Sequence, residues 1–118
     1  MHSMTLTEKV RLWLETADLR TQNLSDCLVA LRISHSTLNR ALVRERTSYS
    51  ALLDQERRRR VTDLLSHRGG KMQAWVIMIA AGYRHGNSAY RAVQRWYGVS
   101  IREYNKSALV EEMLNETT

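Results

Sequence analysis

Six side chains able to form directed hydrogen bonds lie close together between residues 34 and 45. They are His35, Ser36, Thr37, Asn39, Arg40 and Arg44. An arginine such as Arg40 can donate two parallel hydrogen bonds to guanine, and an asparagine such as Asn39 can form a matching pair with adenine. Leu38 and Leu42 recur at the spacing of a buried helix face, which predicts a short helix with these polar groups on its other side. Arg44 is better placed to meet a phosphate.

These residues could instead have a purely structural role. Arg40 and Arg91, at the centres of two similar segments, could pair with a carboxylate such as Glu56 or Glu103. His35 could equally be an ordinary exposed residue. The sequence leaves both interpretations open at this point.

The charge of the chain favours a phosphate-rich partner. Its 118 residues include 18 Lys and Arg against 12 Asp and Glu, which gives a net charge of +6 and a pI near 10.0. A merely soluble basic protein is the alternative. This length has room for one domain with a modest core, or for two very small units that share a helix.

Several classes of site are not expected. Cys27 is the single cysteine, so an internal disulfide and a multi-cysteine zinc site are excluded, and four scattered histidines form no recognisable metal site. Glycine-rich phosphate loops and nucleophile elbows are missing, so we expect neither a cofactor nor catalytic activity. The first twenty residues lack a signal-peptide core, and the longest apolar run, 74–81, is too short to cross a membrane. These features predict a cytoplasmic protein.

The pattern of helix signals predicts an all-α fold. Proline is absent, and Thr5 with Glu8 forms a capping box before the first apolar periodicity. Gly69-Gly70, Gly82 and Gly98 are expected to end helices. The predicted divisions are a leader at 1–8, a helix pair at 24–45, a long helix at 48–68, a second helix pair at 72–97, and an acidic tail at 107–118 that frays.

A repeat relates the two helix pairs. Arg40-Ala41-Leu42 in the first pair is followed by Thr47-Ser48, and Arg91-Ala92-Val93 in the second pair is followed by Val99-Ser100. Each half therefore has the order short helix, turn, arginine-bearing helix and serine-containing loop. Duplication of one helix-turn-helix unit explains this order with the fewest assumptions.

The same residues resemble the AraC/XylS family of transcriptional regulators. The second half carries Gly82-Tyr83, Arg91-Ala92, the segment 95–100 (Arg-Trp-Tyr-Gly-Val-Ser) and Tyr104 at the spacing of the family signature. The resemblance extends over about residues 9–106. It implies an all-α fold of about seven helices, with two helix-turn-helix subdomains joined by a long linker helix.

The resemblance also implies a function and a set of contacts. Members of the family place the second helix of each unit in the major groove of double-stranded DNA, in two grooves about 34 Å apart. In the second unit this assigns DNA binding to Arg84, His85, Asn87, Ser88, Arg91 and Arg95. RNA polymerase is a further expected partner. The alternative is a protein-interaction module whose degenerate second unit binds another regulator or the polymerase instead of DNA.

The second unit departs from the family pattern. Arg84 stands where the family usually has a capping serine, and Ala89 and Val93 stand where aromatic residues are usual. Met78 replaces a small residue. We therefore expect the second unit to be the looser of the two.

The segment 74–81, Ala-Trp-Val-Ile-Met-Ile-Ala-Ala, has no polar face. The resemblance turns Trp75, Val76 and Ile79 outward, where they would form one apolar patch. We expect this patch to contact a second copy, a sensor domain absent from this sequence, or another protein. A rotated and fully packed helix is the alternative.

Overall fold

A computed structural model describes residues 3–68 and 71–116 of the chain. Within these residues there are seven helices and no strand, as the sequence predicts. They are α1 Leu6–Thr16, α2 Leu24–Leu31, α3 His35–Arg44, α4 Tyr49–Arg68, α5 Ala74–Ala81, α6 Gly86–Tyr97 and α7 Ile101–Glu116. The chain divides into two compact units, Met1–Arg57 and Arg58–Thr118, and α4 contributes residues to both.

The first unit is built on three helices whose first turns are capped. Thr5 and Glu8 form the predicted capping box of α1, the Asn23 side chain accepts a hydrogen bond from the Asp26 N–H, and the Ser34 side chain accepts one from the Thr37 N–H. Apolar side chains from these helices and from α4 form one core. Its buried members are Val10, Leu14, Leu19, Cys27, Leu38, Leu42 and Leu52.

Cys27 is a small core residue, in agreement with its apolar spacing. Its side chain is fully buried, and burial raises the pKa of the thiol. The turn between α2 and α3 is tight because Arg32 adopts a left-handed conformation with φ 55°, and the Ile33 N–H bonds to the Leu28 carbonyl.

The second unit repeats this plan with a core richer in aromatic residues. Its buried members are Val61, Met72, Ile77, Ala81, Ala89, Ala92, Val93, Trp96 and Ile101. Trp96 lies 6.4 Å from both Tyr83 and Tyr97 between ring centroids, and Tyr97 lies 6.2 Å from Tyr104. Asn105 donates a hydrogen bond to the Met72 carbonyl at 2.8 Å and accepts one from the Met72 N–H, which fixes α7 to the start of this core.

Gly82 and Gly98 end α5 and α6 in the left-handed conformation, with φ 77° and 72°, as predicted. The predicted break at Gly69-Gly70 lies outside the described residues. Three boundaries differ from the expectation. The capping box starts α1 at Leu6, inside the predicted leader, and α5 begins at Ala74 instead of Met72.

The third difference concerns the acidic tail. The sequence predicts fraying beyond residue 107, but α7 continues to Glu116. Ser100 caps this helix by accepting a hydrogen bond from the Glu103 N–H at 3.1 Å. No glycine or proline follows before residue 116, so nothing in the local sequence stops the helix.

Candidate nucleic-acid interface

The α3 helix presents its polar residues on one exposed face. Leu38 and Leu42 are buried in the core of the first unit. The six predicted contact residues are all exposed: His35, Ser36, Thr37, Asn39, Arg40 and Arg44. The Ser34 cap and the two buried leucines fix the rotation of the helix, so the structure brings this predicted set together.

Arg40 is available for a ligand. It forms no hydrogen bond or ion pair with any residue that the structure describes, so the alternative pairing with Glu56 is wrong. Glu56 itself is buried, with 7% of its surface exposed. The guanidinium of Arg40 therefore keeps its planar set of donors for a ligand outside the chain.

Glu45, the acid that follows α3, is held by another helix. Its Oε1 atom accepts a hydrogen bond from the Thr7 N–H at 3.3 Å, in the first turn of α1. Contact with Thr7 lowers the pKa of Glu45, and the positive charge of Arg44 adds to the effect. This carboxylate is thereby directed toward the start of α1, and α3 itself carries no acidic residue.

The α6 helix has a similar face in the second unit. Ala89, Ala92, Val93 and Trp96 are buried, whereas Asn87, Arg91 and Arg95 are exposed. The Nε of Arg91 donates to the backbone carbonyl of Asn87 at 3.4 Å, so the alternative pairing of Arg91 with Glu103 is not formed among the described residues. This bond draws the guanidinium toward the first turn of the helix and leaves its Nη donors free within the described chain.

Two of the predicted contact residues in α6 also have contacts within the second unit. Ser88 is half-buried, and its N–H bonds to the His85 carbonyl at 3.2 Å. Arg95 lies over the Trp96 ring, with its guanidinium carbon 5.7 Å from the ring centroid. Arg95 is therefore partly a packing residue of the second unit.

The residue at the start of α6 corrects one prediction. The sequence places Arg84 at the capping position, but the N-cap is His85, and its side chain makes no capping hydrogen bond. The turn after Gly82 is one residue longer than the turn after Arg32, which moves the cap along the chain. Arg84 and His85 are both exposed just before the helix.

Sequence reasoning missed three exposed residues on these faces. Tyr90 has 52% of its surface exposed, and Gln94 lies one turn beyond it on α6. Val43 has an equivalent exposed position on α3. The signal was present, because Tyr90 and Gln94 follow Asn87 at helical spacing, whereas the buried positions 89, 92, 93 and 96 do not share that face.

The outward-facing side of α5 agrees with the predicted apolar patch. Trp75 and Ile79 have 61% and 65% of their surfaces exposed, and Val76 is half-buried. The alternative of a rotated and fully packed helix is therefore wrong. A role for these residues in binding a partner stays a prediction.

No helix among the described residues is long and apolar enough to span a membrane. In the same residues, His, Cys, Asp and Glu side chains form no group of three or more that could hold a metal ion.

Comparison with known proteins identifies the family. A family model described as a helix-turn-helix domain matches residues 28–107. HTH-type transcriptional regulators of Mycobacterium bovis and Mycobacterium tuberculosis are each 37% identical over 70 residues, which cover 59% of this chain. The match spans 20% of the length of each of these relatives.

A solved structure shares the fold. The crystal structure of a DNA-binding transcriptional dual regulator from Escherichia coli K-12 aligns with a TM-score of 0.77 at 22% identity, covering 92% of this chain and 96% of that one. The family match extends over most of both helix pairs. The chain therefore belongs to the helix-turn-helix family of AraC-type transcriptional regulators.

Proposed function

We propose that this chain is a sequence-specific regulator of transcription that binds double-stranded DNA through α3 and α6, without a catalytic role. The observation that supports it most is the charge of these two helices. Each exposes two arginines, Arg40 with Arg44 and Arg91 with Arg95, and neither helix contains an acidic residue. The chain has twelve acidic residues, so their absence from both helices leaves two faces of positive potential.

The side chains on these faces suit the two components of DNA recognition. Arg40 and Asn39 on α3, and Arg91 and Asn87 on α6, have the donors and acceptors that distinguish base pairs in the major groove. Arg44 and Arg95, one turn further along each helix, suit phosphate contacts, which position the protein and carry no sequence information. Arg84 and His85 add positive or polar groups before α6.

Such a protein would act in the bacterial cytoplasm, where the chromosome lies, and would influence RNA polymerase at promoters. The DNA-binding name of the Escherichia coli neighbour and the regulator names of the mycobacterial relatives support this role. The competing role is a protein-interaction module whose second unit no longer reads DNA. The exposed Trp75 and Ile79 on α5 are the observation in its favour.

Binding titrations at several salt concentrations test the proposal. The full chain is measured against random DNA and against sequences selected from a random library. We expect a steep salt dependence, because each neutralised phosphate releases counterions, together with a preference of several hundredfold for the selected sequences. Equal binding to all sequences would contradict sequence-specific regulation, and no DNA binding would favour the interaction module.

Two arginine variants separate base reading from phosphate binding. Arg40→Ala is expected to weaken specific binding by about 1 to 3 kcal/mol and to relax the preference at one base pair. Arg44→Ala should weaken binding to all sequences alike and lower the salt slope by about one. Lys9→Ala, on the exposed surface of α1, removes the same charge from a different helix and is the matched control. If neither arginine variant alters base preference, the assignment of the α3 face is wrong.

A further inference from the structure

The helices α3 and α6 can be compared position by position. When their N-caps Ser34 and His85 are aligned, the buried Leu38 matches Ala89, and the buried Leu42 matches Val93. Caps and core positions thus give the same register without any reference to the exposed residues. Equivalent exposed positions in the two helices therefore point in equivalent directions from their own cores.

This alignment shows which exposed residues α3 and α6 have in common and which differ. Arg40 matches Arg91, and Arg44 matches Arg95, so the cationic groups are the same in both helices. The residue before the first arginine of each pair differs, because Asn39 of α3 matches Tyr90 of α6. Both are exposed. Other exposed positions differ as well, such as Val43 and Gln94, but at Tyr90 an amide is replaced by a phenol ring directly beside a shared arginine.

The Tyr90 ring has no structural partner in the described chain. The protein has five tyrosines. The other four each have a partner for the ring or for the hydroxyl group. The hydroxyl groups of Tyr49 and Tyr97 hydrogen bond to Gln22 and to Thr62, the latter at 3.0 Å. The rings of Tyr83 and Tyr104 contact Trp96 and Tyr97. Tyr90 makes neither a ring contact nor a hydrogen bond with any described residue, and half of its surface is exposed. Packing of the core does not account for this ring.

We infer that Tyr90 is a specificity-determining residue that contacts the methyl group of a thymine next to the guanine bound by Arg91. Asn39 at the matching position contacts an adenine next to the guanine bound by Arg40. This inference rests on the proposed function and adds to it a difference between the two half-sites. They share a guanine and differ at the neighbouring base pair.

The chemistry of the two side chains explains the difference. Asparagine offers one acceptor and one donor group side by side, which match N6 and N7 of adenine. A phenol ring cannot form that pair, but its apolar carbons can cover the C5-methyl group that thymine exposes in the major groove. The position of Tyr90, one turn from both Asn87 and Gln94, places the ring within the polar face of α6.

Deoxyuridine provides a probe that needs no protein variant. The half-site of α6 is first identified, in sequences selected by the full chain, as the one whose guanine preference Arg91→Ala abolishes. Replacing the thymine beside that guanine with deoxyuridine removes only its methyl group. We expect wild-type affinity to fall about threefold to tenfold, as burial of one such group implies. Deoxyuridine at thymines elsewhere in the same DNA is the control and should leave the affinity unchanged.

Variants at the two matching positions complete the test. Tyr90→Phe should keep the sensitivity to deoxyuridine and Tyr90→Ala should lose it. Tyr90→Asn should change the preferred base from thymine to adenine in the second half-site, and Asn39→Tyr should make the reverse change in the first. If the chain selects specific DNA, but wild type ignores the deoxyuridine replacement and Tyr90→Asn keeps the original preference, the inference is overturned and the proposed function stands. If the chain selects no sequence, both fail.

Discussion

A serine at position 85 is expected to stabilise the second unit. The N-caps of α1, α2 and α3 each accept a hydrogen bond from a backbone N–H, whereas His85 at the start of α6 accepts none. His85 already has the extended conformation of a cap, with φ −129° and ψ 140°. Serine can adopt these angles without strain, and its hydroxyl could accept a bond from the first turn of α6.

The gain in stability depends on the hydrogen bonds that the first turn of α6 already forms. A capping side chain contributes about 1 kcal/mol when it satisfies a free N–H. The Ser88 N–H already bonds to the His85 carbonyl at 3.2 Å, so only part of this contribution is available. We therefore expect His85→Ser to raise the free energy of unfolding by about 0.5 to 1 kcal/mol. For a unit of this size that corresponds to a rise in Tm of about 2 to 8 °C.

Hydrogen exchange resolves the effect at the level of one helix. Amides in the first turn of α6 should exchange more slowly in His85→Ser than in wild type, and amides of α3 should not change. Ser34→Ala is the matched control, because it removes a cap that is present, and it should cost about 1 kcal/mol in the first unit. Unchanged protection in α6, together with the expected loss in Ser34→Ala, would refute the idea that a missing cap limits this helix.

Further predictions concern pH, stability and the patch on α5. Contact with Thr7 lowers the pKa of Glu45 in the folded state. The Glu45 carboxylate therefore stabilises the fold at a pH above its unfolded-state pKa, and this stabilisation is lost as the pH falls through its folded-state pKa. Glu45→Gln should reduce the acid sensitivity seen in unfolding curves. Burial raises the pKa of Tyr49 to about 12, so absorbance titration should show a late tyrosine that Tyr49→Phe removes, and stability should fall as the pH rises from 10 to 12. Trp75→Glu with Ile79→Lys should keep the helical content and abolish self-association or partner binding in light scattering; unfolding of this double variant would contradict an exposed patch. In wild type, amides 84–97 should exchange faster than amides 24–45, and equal protection would contradict a looser second unit.

Helix ends governed by local chemistry were predictable from the sequence. Thr5 caps α1 as expected, because a capping bond joins residues three apart and needs no distant partner. Gly82 and Gly98 end theirs for a similar reason, since a left-handed residue costs glycine little. The buried face of α3 also followed from periodicity, which fixed the outward direction of Arg40. The α5 segment has no polar face, and the outward direction of Trp75 was predicted by the family resemblance instead.

Features that depend on packing were harder to predict. The start of α6 is one residue later than expected because the preceding turn is one residue longer than the turn after Arg32. The acidic tail suggested fraying, but charge alone does not end a helix that has a cap at Ser100 and no breaker. Tyr90 could not be assigned from its neighbours, because an aromatic residue between polar residues suits both a core edge and a binding face.

The distribution of changes between the two helix pairs bears on whether the second unit still reads DNA. Leu42 is replaced by Val93 in the core, which keeps the position apolar, and the two exposed arginines of α3 recur on α6. The α6 helix also contains no acidic residue, which suits the phosphate contacts proposed for it. The exposed side chain next to the first arginine changes from Asn39 to Tyr90, which leaves the charge of the face intact. A second unit that reads a different sequence accounts for this combination better than a unit that has lost its DNA.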